Sequence, residues 1–279
     1  MYEGKTVLIT GGASGLGLAV ARRFAKAGAN TIVVCRTEAS GRQAVAEIEA
    51  DAPNGSLDLM SCDLASMASI NRLLGQVKAT YPSLDLVFNN AAVMKRERTV
   101  TADGFEMMFQ VNYLAPFILM KSLLEQLRGS PTALLLNNGR PSAKLRLDFD
   151  DLQSADHYRM YDSFFRTKLC LLLATIELAR RTEGAGLSIH MADPGPFKSA
   201  LVREAPWPAG WVKNLFSAPV DEAADNILFV AESDEARRGT GKVFKKRRSV
   251  PLAPYWQDAE TRQRLWDATE RMIEEVARG

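Results

Sequence analysis

Lys5-Thr6-Val7-Leu8-Ile9-Thr10-Gly11-Gly12-Ala13-Ser14-Gly15-Leu16-Gly17 carries most of the architectural information in this chain. Val7-Leu8-Ile9 has the length of a buried strand, the glycines mark a tight turn, and residues 18–27 continue at helical period. A strand that runs through a glycine turn into a helix gathers unpaired backbone N–H groups and the positive end of the helix dipole at one point. That point is an anion site suited to a nucleotide pyrophosphate. Gly11, Ser14, Gly15, Leu16 and Gly17 surround it in a G-x-x-x-G-x-G spacing, which differs from G-x-G-x-x-G but permits the same close phosphate approach.

The pattern repeats along the chain. Apolar strand-length runs at 6–10, 31–35, 57–62, 84–88, 133–136 and 187–191, with 242–244 as an edge strand, alternate with helical-period segments at 15–27, 38–50, 66–81, 102–128, 158–182 and 220–233. Such alternation predicts a doubly wound α/β fold, one Rossmann-type domain over 1–279 with a seven-stranded parallel sheet flanked by helices on both faces. Residues 258–277 read as an amphipathic helix that packs on its own core or on a neighbouring subunit. The one long irregular stretch, 194–219, is expected to be a substrate lid over the ligand crevice. Its Phe197, Trp207, Trp211 and Phe216 point to a bulky apolar small molecule, or pack against the core instead.

Composition excludes several classes. With 35 basic and 33 acidic residues in 279, the net charge of +2 provides no global drive toward nucleic acid or an acidic membrane surface. Lys245-Lys246-Arg247-Arg248 is the one dense basic run, read as a solvated strand end. No segment approaches the roughly 18 apolar residues of a membrane span, and a cytoplasmic location follows by default. Cys35, Cys62 and Cys170 are scattered and lack metal spacing, so no disulfide or metal is expected.

At the end of the second predicted strand, where an NAD site places an acid on the ribose, this chain has Cys35-Arg36-Thr37. The always-charged guanidinium of Arg36 suits a 2′-phosphate and hence NADP(H); the alternative is a solvated surface arginine.

Thr10-Gly11-x-x-x-Gly15-x-Gly17, Asp63-Leu64, Asn89-Asn90-Ala91-Ala92, Asn112, Lys168 and Asp193-Pro194-Gly195 together resemble the short-chain dehydrogenase/reductase family. Val34-Cys35-Arg36, Phe149-Asp150-Asp151-Leu152, Gly241-Lys242-Val243-Phe244 and Leu265-Trp266 are similar to its retinol dehydrogenase-like branch. The resemblance implies that Asp63 and Leu64 lie beside the adenine, Asn90 and Ala91 against the ribose, and Pro194 and Gly195 near the nicotinamide. It also implies homo-oligomers formed through 102–128 and 158–182. In that family a Tyr four residues before the Lys donates the proton, a Ser polarises the carbonyl and an Asn supports a water relay.

Asn112 and Lys168 are present, but the Tyr position holds Phe164, and Asn138 or Gly139 stands in the Ser column. A phenyl ring transfers no proton. Asn138 retains an amide donor. Tyr161, seven residues before Lys168, is the best substitute acid if the helix extends back that far, and is otherwise a packed aromatic. Asp193 serves either as a base or, more simply, as the residue that turns the chain out of its strand.

Three functions fit these residues. The preferred one is NADPH-dependent hydride transfer to a carbonyl, imine or activated alkene, with Asn112, Asn138, Tyr161 and Lys168 as the catalytic set. The others are a non-redox cyclase, dehydratase or isomerase that keeps NADP(H) bound, and a catalytically silent nucleotide-binding protein.

Overall fold

The computed structural model describes residues 2–52, 55–130, 133–198 and 218–278. Strands β1 (Thr6–Thr10), β2 (Asn30–Cys35), β3 (Ser56–Ser61), β4 (Leu86–Asn89), β5 (Leu134–Asn138), β6 (Ser188–Asp193), β7 (Val243–Lys245) and β8 (Arg248–Val250) form one sheet in the order β3-β2-β1-β4-β5-β6-β7-β8. The doubly wound α/β fold is therefore as expected. The strand count is not: β1 to β7 are parallel, and β8 adds an eighth, antiparallel edge strand. The basic run 245–248 folds back on itself in a tight hairpin, with Lys246 at φ 55°. A three-residue Arg-Ser-Val strand is too short to show a period of its own.

Helices cover both faces. α1 (Gly15–Lys26), α2 (Glu38–Glu49) and α8 (Val220–Glu232) pack on one side, where Phe24, Ile48, Ile227 and Phe88 share a core. The larger core lies on the other side, under α3 (Met67–Thr80), the helical stretch 107–128 and α7 (Met160–Arg181).

The predicted continuous helix 102–128 starts later and is broken into α4 (Met107–Phe109), a π-helical turn (Gln110–Leu114), α5 (Ala115–Ser122) and α6 (Leu124–Arg128). Its start is fixed by Glu106, whose buried carboxylate accepts the N–H groups of Met108 (2.9 Å) and Phe109 (2.7 Å).

Two short helices, α9 (Asp234–Arg237) and α10 (Pro254–Gln257), precede α11 (Ala259–Arg278). α11 lies on α7 and α5 of its own chain. Trp266 packs tilted against Phe117 with ring centroids 4.7 Å apart, Thr269 and Tyr113 share a 2.6 Å hydrogen bond, and the Arg181 guanidinium sits 4.3 Å from the Trp266 ring centroid. Beneath them Glu177, 1% exposed, is ringed by Arg180, Arg181 and Arg262. Burial pushes its carboxyl up, but the arginine hydrogen bonds outweigh burial and hold it below the ordinary range.

No helix among the described residues is long and apolar enough to cross a membrane. Of the expected lid, residues 199–217, with Trp207, Trp211 and Phe216, lie outside the described residues. Its two ends are tied together, Lys198 N–H to Ala218 O at 3.0 Å and Ala218 N–H to Pro196 O at 3.1 Å.

Candidate active site

The loop between β1 and α1 is shaped by what cannot fit. A Cβ on Gly17 would lie 2.2 Å from Gly11 O and 2.6 Å from Asn90 Nδ2, and one on Gly11 3.0 Å from Ala91 Cα. Helix, loop and the end of β4 thus meet in backbone contact. Gly15, at φ 51°, has nothing within 4 Å of its Cβ position and faces open space. Ser14 precedes the first turn of α1, makes no side-chain cap hydrogen bond, and no acid occupies that turn. Exposed N–H donors and a hydroxyl beside a glycine with open space fit a dinucleotide pyrophosphate. Leu16 supplies backbone to this turn while its side chain is buried in the core behind it.

The loop opens on a cavity of about 490 Å³. It is lined by Gly11 and Ser14 of that loop, by Arg36, Thr37 and Ser40 after β2, by Asp63, Leu64 and Ala65 after β3, by Ala91, Ala92 and Val93 after β4, and by Met107 and Val111. Six residues singled out from sequence, Gly11, Ser14, Arg36, Asp63, Leu64 and Ala91, therefore share one space. Arg36 is exposed, and its guanidinium makes no hydrogen bond or ion pair among the described residues. The Thr37 and Ser40 hydroxyls, 2.7 Å apart, stand beside it. Asp63 accepts the Ala65 N–H at 3.0 Å, and the cap of α3 is Ser66.

Sequence reasoning missed Thr37, Ser40, Met107 and Val111. The first two are hydroxyl and helix-start residues directly after Arg36 and were open to reading. The last two depend on how the 107–128 stretch breaks, which no local pattern reveals.

Beyond this cavity Asn138 ends β5, Pro194 and Gly195 follow β6, and Lys168 and Tyr161 lie on α7, with Lys168 reaching Asn138. Lys168 is buried; its Nζ donates to Asn138 O at 3.0 Å and sits 5.7 Å from the Phe164 ring centroid. Burial lowers its pKa to about 8. Asn138 Nδ2 donates to Asn90 Oδ1 (3.2 Å), and Asn90 Nδ2 donates to Thr10 O (3.0 Å), so a chain of hydrogen bonds links the glycine loop to the lysine.

Phe164 packs with Met94, Met108 and Met160, an apolar cluster against which Tyr161 lies half-buried. α7 does extend back to include Tyr161, and its hydroxyl has no partner among the described residues. Tyr158 is engaged on Lys95 O at 2.7 Å. Asn112, in the π-helical turn, locks the loop after β4 by accepting Val93 N–H and donating to Val93 O, both at 2.8 Å. Asp193 accepts Gly195 N–H at 2.9 Å and pairs with Arg140, while Pro194 O accepts from Asn226 Nδ2 at 3.0 Å.

Residues 5–138 match the short chain dehydrogenase family model. Retinol dehydrogenase 14 of Mus musculus is 32% identical over 98% of this chain and 87% of its own length. The chain belongs to the short-chain dehydrogenase family. A crystal structure of an uncharacterised protein from Mycobacterium paratuberculosis superposes with a TM-score of 0.78 at 26% identity, covering 98% of this chain and 94% of that one. A blue fluorescent protein from a metagenomic library, in complex with NADPH, shares the fold of this chain with a TM-score of 0.69 at 22% identity, over 87% and 96% of the two chains. The family's common property is a nicotinamide cofactor.

Proposed function

We propose that this chain is an NADP(H)-dependent reductase acting on a carbonyl, imine or activated alkene of a bulky apolar small molecule. Arg36 carries this reading: its guanidinium has no partner among the described residues and stands on the wall of the cavity with Thr37 and Ser40 beside it. In this reading Gly11, Ser14, Gly15, Leu16 and Gly17 hold the pyrophosphate, Arg36 the 2′-phosphate, Asp63 and Leu64 the adenine, and Asn90 and Ala91 the ribose. Lys168, Pro194 and Gly195 serve the nicotinamide half. The bound coenzyme supplies a hydride.

The chain's own residues position the reaction and manage charge. Asn112 holds the loop after β4, Asn138 anchors Lys168, and Lys168 donates protons near neutrality because burial has brought its pKa to about 8. Tyr161 is the nearest phenol to Phe164 on the same helix. The apolar character of the buried methionine cluster around Phe164 supports an apolar substrate, in keeping with the name of the retinol dehydrogenase relative. A homo-oligomer would use surfaces other than the faces of α5 and α7 that α11 already covers.

The test is NADPH binding by calorimetry followed by loss of NADPH absorbance against aldehydes, ketones and enones. Arg36→Gln is expected to reduce NADPH affinity on the order of 10-fold or more while sparing NADH. Tyr161→Phe is expected to lower turnover roughly 10²-fold if the phenol is the acid. Phe164 favours one second reading, nucleotide binding without turnover. Tight NADPH binding with no consumption across the panel would establish it.

A further inference from the structure

Arg140 and Asp193 form a pair that the assignments above leave unused. Asp193 closes β6 with a side chain only 7% exposed, and both its oxygens accept from Arg140 Nε, at 3.2 and 3.1 Å. The Asp193 carboxylate also takes the Gly195 N–H. It therefore grips the guanidinium by the Nε edge. The four N–H bonds on the two Nη nitrogens have no partner among the described residues, and the Arg140 side chain is 41% exposed.

Its place matters as much as its geometry. Arg140 follows β5 by two residues, next to Asn138, whose carbonyl holds Lys168, and Gly139, whose Cβ position lies 3.4 Å from Lys168 Cδ. The residues flanking Lys168 offer no hydroxyl: Phe164 carries none, Gly139 has no side chain, and one N–H of the Asn138 amide is engaged on Asn90. A surface ion pair contributes little to stability and needs no buried carboxylate. A guanidinium fixed from behind, with its outer donors open, is a preorganised anion receptor.

Resting on the reductase reading, we propose that Arg140, positioned by Asp193, receives the negative charge that develops on the substrate oxygen. Addition of hydride to a carbonyl carbon, or to the β-carbon of an enone, moves the π pair onto oxygen. The alkoxide or enolate so formed is held by the Arg140 Nη groups and takes its proton from water or Tyr161, while Arg140 stays protonated. The substrate class narrows accordingly to oxo compounds and enones. A cationic iminium would be repelled by Arg140 and Lys168 together.

The experiment uses protein saturated with NADP⁺ and two probes of matched shape, benzoate and benzamide, followed by calorimetry. Wild type is expected to bind benzoate on the order of 10-fold more tightly than benzamide, and Arg140→Gln to abolish the preference. Because Arg140→Gln leaves Asp193 buried without its partner, the double variant Arg140→Gln, Asp193→Asn is measured beside it and is expected to behave alike. With a turned-over aldehyde or enone, Arg140→Ala should lose about 10²-fold in kcat with NADPH affinity unchanged, and added guanidinium ion should restore part of it. Equal affinity for the two probes, no binding of either, or a preference that survives both variants overturns the assignment. If NADPH itself does not bind, the reductase reading fails instead.

Discussion

Lys168 offers a test that needs neither substrate nor coenzyme. Its ammonium is buried against Asn138 O, the Phe164 ring and Gly139, and burial alone brings its pKa from 10.5 to about 8. Below pH 8 both folded and unfolded chains carry the proton, so stability is flat with respect to this group. Between about 8 and 10.5 the unfolded chain holds a proton that the folded chain has released, and stability rises with pH, by about 1.4 kcal/mol per unit and on the order of 3 kcal/mol in all.

Lys168→Met keeps an unbranched side chain, one atom shorter, and removes the titration. Urea unfolding of the coenzyme-free protein and the variant, at intervals from pH 7 to 10.5, should give a stability difference that is constant at first and then grows in favour of wild type. The other lysines and tyrosines titrate in both proteins and cancel. A difference that stays level across the interval, or moves the other way, would refute a desolvated lysine at this position.

Three further outcomes follow from particular contacts. Gly17→Ala forces a methyl to within 2.2 Å of Gly11 O, so calorimetry should show NADPH binding lost and unfolding a destabilisation of about 1–3 kcal/mol; unchanged affinity would mean that the loop is not the pyrophosphate cradle. His190 is fully buried, accepting Lys242 N–H on Nδ1 at 3.2 Å and donating from Nε2 to Ala236 O at 2.8 Å, and burial lowers its pKa to about 4. Its contribution is complete above pH 6.5 and is lost on the order of 3 kcal/mol as pH falls to 4, a slope that His190→Gln should lack in acid-unfolding curves. Trp266→Ala removes the ring packed between Phe117 and Arg181 and should cost about 3–5 kcal/mol in urea unfolding; a cost below 1 kcal/mol would show that α11 is loosely attached.

Alternating apolar runs and the glycine turn made the doubly wound sheet legible, because both signals are local: a strand buried on two faces is apolar throughout, and the 11–17 turn sits directly between a strand and a helix. Arg36 at the end of β2 and Phe164 four residues before Lys168 could be picked out for the same reason, as single positions at fixed offsets. β8 was not, since three residues of a hairpin edge carry no period, nor was the break at 107–114, which depends on Asn112 reaching Val93 across the fold. Nothing in the sequence singled out Arg140. Its orientation comes from Asp193, 53 residues later in the chain, and only the parallel pairing of β5 with β6 brings the two together.

The seating of α11 has a consequence for how the protein is made. Tyr113 and Thr269, 156 residues apart, share a hydrogen bond, and Lys121 is joined to Glu270 over 149. While the ribosome is still working through the middle of the message, Phe117 and its neighbours have no lid of tryptophan to go under. The larger apolar core is covered on this side only when residues 259–278 emerge, so the nascent chain carries an uncovered apolar flank from the appearance of Phe117 until the last helix is made.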